Sequence, residues 1–504
     1  MTGQQGATGQ EQDDIAALAK GGRTNIFGFM LRLAARLPFL FIAGRVYGPD
    51  ILGRFAYAVL VVEFAAQLAT MGLKRGLAGA LAQTKRPESH VMADAMLLTL
   101  MASLVAVALL MLAPEAMFPN SGLNGLDRLL PLIIIAVAGS DVALAACAWR
   151  YDIGATVRAR AIIEPWVISI AAWLLSYYSL RDGLILSYVA SMIAAFAASL
   201  WPMFRHFGVP QDWTPQPMRL WRMARINLPL AAADGVEWGS RRLDLAILGL
   251  FVSPAVVGVY YIAQQVASLP QKLKTSFEPI LGPVITRNVA TKNYAAIARQ
   301  VSQVGFWIIA AQAGIALALG IPGEAVMGLV GPKFVSGTLA LGCLLLAEVV
   351  ASTAVVSEGA LVYLARHRNL MISLAMIGFQ AILSFGLLML VKKAEYPDEI
   401  LAATPALALA LALGSSSIVK SRLLQRLLRH PITTWRPALI AASAVAVIVG
   451  SLIVALPRHY EWMELVFGVP LILIAYGAVI WRFGFGSEDR ELFRRRKLAA
   501  PDEG

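Results

Sequence analysis

The sequence contains few charged residues and almost no cysteine. Only 15% of its 504 residues are charged, whereas a soluble domain typically has roughly 25%. The two cysteines, Cys147 and Cys343, both lie inside apolar runs, so neither indicates a disulfide or a thiolate metal site. No P-loop pattern for phosphate binding occurs. Segments between the apolar runs reach only about twenty residues, which leaves no room for a nucleotide-binding cassette or a soluble catalytic domain.

Long apolar runs make up most of the chain instead. Hydrophobic residues account for 58% of the sequence, and its mean hydropathy is +0.67. Because a helix needs about 20 apolar residues to cross a hydrocarbon core of about 30 Å, we predict an all-α polytopic membrane protein with about fourteen transmembrane helices. The predicted spans are residues 26–47, 51–72, 91–113, 129–149, 160–179, 183–204, 223–250, 255–285, 301–321, 338–364, 370–391, 400–419, 437–456 and 462–483.

Basic residues are distributed unevenly between the two faces that these spans define. With the N-terminus in the cytoplasm, 31 of the 43 lysines and arginines fall on the cytoplasmic side, 8 on the opposite side and 4 within helices. Loops rich in lysine and arginine stay in the cytoplasm. We therefore predict a multi-pass membrane protein with an even number of spans and both termini cytoplasmic. This topology accounts for the net charge of +12 without a nucleic-acid partner.

The central part of the seventh predicted span carries five formal charges. Counted at 100° per residue, Asp234, Glu237, Arg241 and Asp244 fall on one face of a continuous helix, and Arg242 falls off that face. A charge at the bilayer centre costs at least ~2.5–3.5 kcal/mol, so charged side chains in membranes usually face a bundle interior or a watery cavity. We predict that this face lines such a cavity.

The chain repeats itself weakly at a shift of 205 residues. The shift superimposes Pro49 on Pro254, Gly53 on Gly258 and Arg36 on Arg241. Repeats related by a two-fold axis are frequent in transporters, whose substrate site lies at the repeat interface. We therefore predict two pseudo-symmetric halves whose first helices, spans one and seven, face each other across a central cavity, with the repeated Pro and Gly positions as a hinge motif, plus two C-terminal helices. The predicted divisions are a disordered cytoplasmic N-terminus (1–24), an N-terminal bundle (25–212), a C-terminal bundle (213–429), helices thirteen and fourteen (430–484) and a basic cytoplasmic tail (485–504).

Arginines that converge on a membrane cavity predict an anionic ligand. Arg32 lies four residues before Arg36 and shares its helical face, while Arg242 is adjacent to Arg241. The guanidinium group offers a rigid fork of donors that matches phosphate and stays charged in a poor dielectric. We predict that these four arginines bind a diphosphate. For Arg32, snorkelling to the membrane interface is the alternative.

Carboxylates in the same region predict a second role. Asp234, Glu237 and Asp244 on the seventh span, with Glu63 on the second, are predicted to line the cavity and to take up a coupling H⁺ or Na⁺. No other cofactor and no metal site is expected. The alternative is a set of internal salt bridges, such as Arg241 with Glu237 or Asp244, that only join helices.

The region around the repeat resembles a known family. The motifs are Gly48-Pro-Asp-Ile-Leu-Gly53-Arg-Phe-Ala-Tyr57, Arg242-Leu-Asp244-Leu-Ala-Ile-Leu-Gly249 and Val257-Gly258-Val-Tyr260-Tyr-Ile-Ala263. They resemble the polysaccharide transporter and O-antigen (Wzx-like) flippase family of the multidrug/oligosaccharidyl-lipid/polysaccharide (MOP) flippase superfamily. The resemblance extends over residues 25–485 and implies alternating access between two six-helix bundles. By similarity to the related lipid II flippases, it also implies that Arg36 and Arg241 contact a diphosphate, with Arg32 as a second candidate.

The resemblance implies a substrate and partners as well. It implies that the protein flips an undecaprenyl-diphosphate-linked glycan to the outer leaflet of the bacterial cytoplasmic (inner) membrane, for synthesis of O-antigen, capsule or exopolysaccharide. Membrane lipid and polysaccharide polymerase or assembly proteins are the further partners that it implies. Two rival functions remain open. One is a cation-coupled multidrug or metabolite exporter of the multidrug and toxin extrusion type. The other is a polysaccharide polymerase or O-antigen ligase, which usually needs a large outer loop that this sequence lacks.

Overall fold

The described part of the chain is helical throughout its regular structure. The computed structural model describes residues 37–275, 285, 288, 291, 293–455 and 461–486, and each regular element in them is an α-, 3₁₀- or π-helix. Helices lie at every predicted span, although the first is described only from residue 37. Ten helical stretches in the described residues are long and apolar enough to cross a membrane. The all-α polytopic class is confirmed, and the number fourteen stays a prediction.

The N-terminal half contains six helices that carry the argument below. They are α1 (Gly48–Ala69), α2 (Leu73–Ala82), α3 (Glu88–Leu112), α4 (Ile133–Trp149), α5 (Glu164–Leu175) and α6 (Gly183–Phe207). Short π-helical segments, Ala43–Tyr47 and Val157–Ile163, precede α1 and α5. The short helix Gly125–Leu129 lies between α3 and α4 and begins with a capping box made by Asn124 and Asp127.

The remaining helices follow without any strand among the described residues. They are α7 (Pro217–Ser240), α8 (Leu243–Phe251), α9 (Pro254–Thr275), α10 (Tyr294–Gly320), α11 (Gly323–Val330), α12 (Thr338–Leu364), α13 (Arg366–Lys393), α14 (Asp398–Leu428), α15 (Pro437–Val454) and α16 (Val469–Val479). Several helices start at a proline, which lacks the N–H that would be unpaired there and already has a helical φ. Examples are Pro217, Pro254 and Pro437, and Pro49 is the second residue of α1.

The prediction that the seventh span is one continuous helix is wrong. It is divided into α7 and α8 by a turn at Arg241 and Arg242, where Arg242 has φ −131° and ψ 8°. α7 packs against α1, α2 and α3, whereas α8 packs mainly against α9, α13 and α14. The helix therefore ends where the chain passes from one half of the molecule to the other. Gly239 and Ser240, two residues of lower helix propensity than alanine, immediately precede the turn.

The two halves meet where the repeated motifs lie. A methyl group at Gly53 would lie 1.7 Å from the backbone oxygen of Pro254 and 2.6 Å from the nitrogen of Gly258. A methyl group at Gly258 would lie 2.0 Å from the oxygen of Pro49 and 2.9 Å from the nitrogen of Gly53. Each glycine thus contacts its repeat equivalent and the proline before it, as expected for two segments related by a two-fold axis.

Polar contacts join the halves at the same end of the molecule. The Nδ2 of Asn120 donates to the backbone oxygens of Gly249 and Val252, at 2.9 and 2.8 Å. The Nε of Arg45 donates to the oxygen of Leu329 at 3.0 Å. All these residues lie at span ends or loops that the charge distribution assigns to the side away from the cytoplasm. On that topology, the outer ends of the two halves are in contact.

The two C-terminal helices pack against one side of the C-terminal half. α15 and α16 contact each other and α10. A methyl group at Gly314 would lie 3.0 Å from the ring of Tyr476, and one at Gly450 would lie 2.6 Å from Ile321. These close approaches at glycine place the added helices directly against α10 and the residue that follows it.

Candidate anion-binding site

The first turn of α2 lies directly against α7, and glycine makes this approach possible. Gly72, with φ +71°, would place a methyl group 2.6 Å from the backbone oxygen of Asn227. Gly76 would place one 1.7 Å from the side-chain oxygen of the same asparagine. Arg75 lies between these glycines. Its side chain reaches α7 at Asp234, about one helical turn after Ala231.

Arg75 binds two carboxylates of α7. Its Nε lies 2.9 Å from Oδ1 of Asp234, and its Nη2 donates to Oε2 of Glu237 at 2.5 Å. The other oxygen of Glu237, Oε1, accepts from Nη2 of Arg241 at 3.1 Å. Glu237 therefore lies between two guanidinium groups, and the internal salt bridge between Arg241 and Glu237 is formed.

Burial distinguishes the members of this group. The Asp234 side chain is 1% exposed, whereas those of Arg75, Glu237 and Arg241 are 51%, 47% and 59% exposed. The buried carboxylate of Asp234 therefore holds Arg75 on the interior side, while about half of the Arg75 side chain stays exposed. We call Arg75, Asp234, Glu237 and Arg241 the α2–α7 cluster.

Arg242 occupies a different position from Arg241, across the turn. Its Nη1 lies 3.0 Å from Oε2 of Glu63 on α1, and its guanidinium lies 4.8 Å from the ring centre of Trp238. The hydroxyl of Tyr188 on α6 is 3.5 Å from the other oxygen of Glu63. Because α7 ends at Ser240, the count of 100° per residue does not extend to Arg242, which pairs with Glu63 and not with the α2–α7 cluster.

Asp244 is separated from the arginines. It is 1% exposed and lies in the interface between α8 and α9, where it accepts from the hydroxyl of Tyr260 at 2.6 Å and from Nε2 of Gln264 at 3.2 Å. The predicted single face of Asp234, Glu237, Arg241 and Asp244 is therefore wrong in its last member. The interruption of the helix turns Asp244 into the C-terminal half.

Further ion pairs extend the charged region into the N-terminal bundle. Arg160, in the π-helical segment before α5, binds Asp141 of α4 and lies 3.1 Å from Glu164. Lys74 lies 3.4 Å from the same Asp141. The carboxylates Asp141 and Glu164 are only 17% and 16% exposed. In each of these pairs the cation is more exposed than its carboxylate.

Sequence reasoning missed Lys74, Arg75 and Arg160 as members of a site. All three were counted among cytoplasmic basic residues that follow the positive-inside pattern. For Arg75, the signal was the pair of flanking glycines, Gly72 and Gly76, which indicate a close helix approach. Arg160 carried no comparable signal, because Asp141 lies in another helix.

In the C-terminal half, the predicted spans place Lys420 in a loop just after the twelfth span, whereas the structure places it inside a helix. Lys420 is 4% exposed inside α14, where its Nζ donates to Oε2 of Glu358 and to Oγ of Ser373, both at 2.9 Å. This pair joins α12, α13 and α14. Here it is the carboxylate, 42% exposed, that remains accessible, while the cation is buried.

The predicted arginines of the first span lie outside the described residues. Arg32 and Arg36 precede residue 37, and their role in binding a diphosphate stays a prediction. The repeated positions Pro49, Gly53, Pro254 and Gly258 are described and meet at the contact between the halves. Their role as a hinge also stays a prediction.

Comparison with known proteins agrees with the motifs. The sequence model of the family described as "Polysaccharide biosynthesis protein" matches residues 42–317. No curated protein matches the sequence. The first predicted motif and its repeat both lie inside the matched region.

Solved structures share the fold at low sequence identity. The chain is similar to the lipid II flippase MurJ in an inward closed conformation, with TM-score 0.68, 11% identity and coverage of 91% of this chain and 98% of that one. It is also similar to an inward-facing multidrug resistance MATE family transporter of the MOP superfamily, with TM-score 0.60, 12% identity and coverage of 79% and 98%. A MOP superfamily transporter from Pyrococcus furiosus gives TM-score 0.52, 14% identity and coverage of 83% and 96%. At these identities the similarity shows a shared fold.

The fold and the family agree with the resemblance stated from the motifs. The chain shares the helical fold of the lipid II flippase MurJ and of a MATE family transporter. Because the matched region covers more than half of the sequence, this chain belongs to the family of polysaccharide biosynthesis proteins.

Proposed function

We propose that this protein is a flippase, not an enzyme, and that it moves a polyprenyl-diphosphate-linked oligosaccharide across the bacterial cytoplasmic membrane for surface polysaccharide synthesis. The observation that carries the proposal is the α2–α7 cluster. There, the guanidinium groups of Arg75 and Arg241 remain about half exposed in an otherwise very apolar chain. The polysaccharide biosynthesis family and the fold shared with a lipid II flippase support the same function.

The chemistry of the cluster suits a diphosphate. Arginine binds phosphate oxygens through a fork of donors and keeps its charge in a poor dielectric. A lipid-linked diphosphate brings several negative charges to one point while its polyprenyl chain remains in the hydrocarbon. We infer that Arg241, Arg242 and, on the first helix, Arg32 and Arg36 bind this group from both halves of the repeat.

We propose that the protein works by alternating access, and the place where the halves touch supports this. On the predicted topology, contacts at Gly53, Gly258 and Asn120 close the outer end, so the cluster is reached from the cytoplasmic side. We propose that substrate enters from that side with both termini cytoplasmic, and that separation at the repeated motif then opens the outer side. The glycan would pass to a polymerase or assembly protein there.

A coupling ion is part of the proposal. Asp244 offers a buried carboxylate that accepts hydrogen bonds from the phenol of Tyr260 and the amide nitrogen of Gln264. Protons or Na⁺ are bound by groups of this kind in membrane interiors. We propose that Asp244, with Asp234 and Glu237, takes up H⁺ or Na⁺ during the cycle and that no other cofactor is required.

The rival exporter function predicts a different surface. A carrier of hydrophobic cations needs accessible carboxylates, yet Asp141, Glu164 and Asp234 are mostly buried beside cations, and the more exposed Glu237 is bound by two arginines. The MATE similarity is one of fold. Transport of a lipophilic cation that is lost on Asp244→Asn would favour that rival.

Loss of single arginines tests the proposal. Arg36→Ala and Arg241→Ala are each expected to weaken binding of a defined undecaprenyl-diphosphate oligosaccharide to the purified protein by about 10- to 100-fold, because a hydrogen bond to a charged group contributes about 1.5–3 kcal/mol. Export of the glycan in a strain that depends on this protein should fall in parallel.

Arg128→Ala is the matched control, because Arg128 is exposed in the short helix before α4 and far along the chain from the cluster. Normal export and binding in both Arg36→Ala and Arg241→Ala would overturn the role of the diphosphate.

A further inference from the structure

Glu237 makes a contact that resembles that of a bound anion. Its two carboxylate oxygens bind different arginines, Oε2 to Arg75 at 2.5 Å and Oε1 to Arg241 at 3.1 Å. The two arginines come from different elements, the first turn of α2 and the end of α7. A carboxylate that bridges two guanidinium groups occupies the place where a phosphate would bridge them.

The bridging carboxylate is accessible and replaceable. Glu237 and both arginines are about half exposed, and ion pairs exposed to this degree contribute little to stability. Arg241 lies at the C-terminal end of α7, next to the turn, so its side chain is not enclosed by a following helical turn. A diphosphate, with more charge and more acceptor oxygens than one carboxylate, would therefore displace Glu237.

Asp234 keeps the site formed when Glu237 leaves. It is buried and holds Nε of Arg75 at 2.9 Å, whereas Glu237 binds a different nitrogen, Nη2, of the same guanidinium. Gly72 and Gly76 keep the first turn of α2 against α7. Displacement of Glu237 thus frees donors on Arg75 without releasing its side chain.

We propose that Arg75 and Arg241 form the phosphate-binding pair for the substrate, and that Glu237 is an internal anion that occupies this pair between transport cycles. The inference rests on the proposed function for the identity of the lipid-linked substrate, but it assigns Arg75 and Glu237 on geometry alone. A tethered carboxylate competes at a high effective concentration. Glu237 therefore excludes monovalent anions from the site. It also pairs with both arginines when the carrier holds no substrate.

Binding of inorganic pyrophosphate to the purified full-length protein, measured by calorimetry in detergent, tests the inference. Glu237→Gln keeps the shape but removes the competing charge. It is expected to tighten pyrophosphate binding by up to about tenfold, as two exposed ion pairs no longer compete. Arg75→Ala and Arg241→Ala should each weaken binding at least about tenfold, also when combined with Glu237→Gln.

Controls separate this result from general effects of charge and folding. Glu115→Gln removes an exposed glutamate on the predicted outer side and should leave pyrophosphate binding unchanged. Arg75→Lys keeps the charge while losing the fork, and binding intermediate between wild type and Arg75→Ala is expected from a folded protein. Unchanged or weaker binding in Glu237→Gln would overturn the internal-anion role, and unchanged binding in Arg75→Ala would overturn the pair.

The inference and the proposed function fail in different ways. If Glu237→Gln tightens pyrophosphate binding while glycan export does not depend on this protein at all, the anion site stands and the flippase function falls. If export requires Arg241 while Glu237→Gln leaves pyrophosphate binding unchanged, the flippase function is supported and the role of Glu237 as an internal anion is rejected.

Discussion

Alanine at Gly53 or at Gly258 is expected to abolish export of the lipid-linked glycan. The added methyl group would lie 1.7 Å from the backbone oxygen of Pro254 in the first variant and 2.0 Å from that of Pro49 in the second. A clash with backbone cannot be relieved by a rotamer change, so α1 and α9 must move apart. The cost should exceed the about 1–3 kcal/mol typical of overpacking against side chains, and the closed contact between the halves is lost.

Export in a dependent strain and the thermal unfolding midpoint of the purified protein are the two measurements. Gly386→Ala in α13 is the matched control, because nothing lies within 4 Å of the added methyl group, and alanine favours a helix over glycine by about 1 kcal/mol. The two test variants should be equally impaired, since the contact is nearly symmetric. Normal export with an unchanged midpoint in Gly53→Ala would contradict the contact.

The repeat can be detected in the sequence because two backbones that approach closely require glycine at the point of contact. A shift of 205 residues places Gly53 on Gly258, and the structure brings these two residues together. The positions of the helices were equally predictable, since each requires a long apolar run. Local composition therefore accounts for the class of fold and for the axis relating its halves.

The division of α7 from α8 could not be predicted by the same means. It depends on tertiary partners: α7 packs on the N-terminal half and α8 on the C-terminal half. A periodicity count treats Arg241 and Arg242 as neighbours on one helix. In the structure Arg241 binds Glu237 within α7, while Arg242 reaches Glu63 on α1.

Basic residues near the ends of spans were the other source of error. The positive-inside pattern explains such residues collectively, so it gave no reason to single out Arg75 or Lys420. The twelfth predicted span ended at residue 419, whereas α14 continues to Leu428 and contains Lys420 in its buried part. Helices that extend past their apolar run convert apparent loop charges into interior ion pairs.

Asp127→Ala is expected to destabilise the protein by about 3–5 kcal/mol, because it leaves the charge of Arg54 buried without its closest partner. The side chains of Arg54 and Asp127 are 5% and 1% exposed and in direct contact. Asp127 also accepts from the backbone nitrogen of Asn124 at 2.8 Å, so the variant removes half of a capping box as well. A large fall in the unfolding midpoint in detergent is the measurement.

Two companions make this result specific. Asp182→Ala should cost much less, because Asp182 lies 3.9 Å from Arg54 and is 14% exposed. The double variant Arg54→Ala with Asp127→Ala should be more stable than Asp127→Ala alone, since no unpaired charge remains. Equal losses in Asp127→Ala and Asp182→Ala, or a double variant with additive losses, would show that the buried pair does not hold this loop.

The position of Arg54 connects this ion pair to the contact between the halves. Arg54 follows Gly53 directly, and its guanidinium also lies 4.7 Å from the ring of Phe118, in the loop that carries Asn120. At the equivalent repeat position stands Val259, which packs against Gly337 instead. The contact at the glycines is therefore symmetric, but its support is not. The N-terminal side is held by a charge network whose loss should loosen the outer closure, whereas the C-terminal side is held by apolar packing.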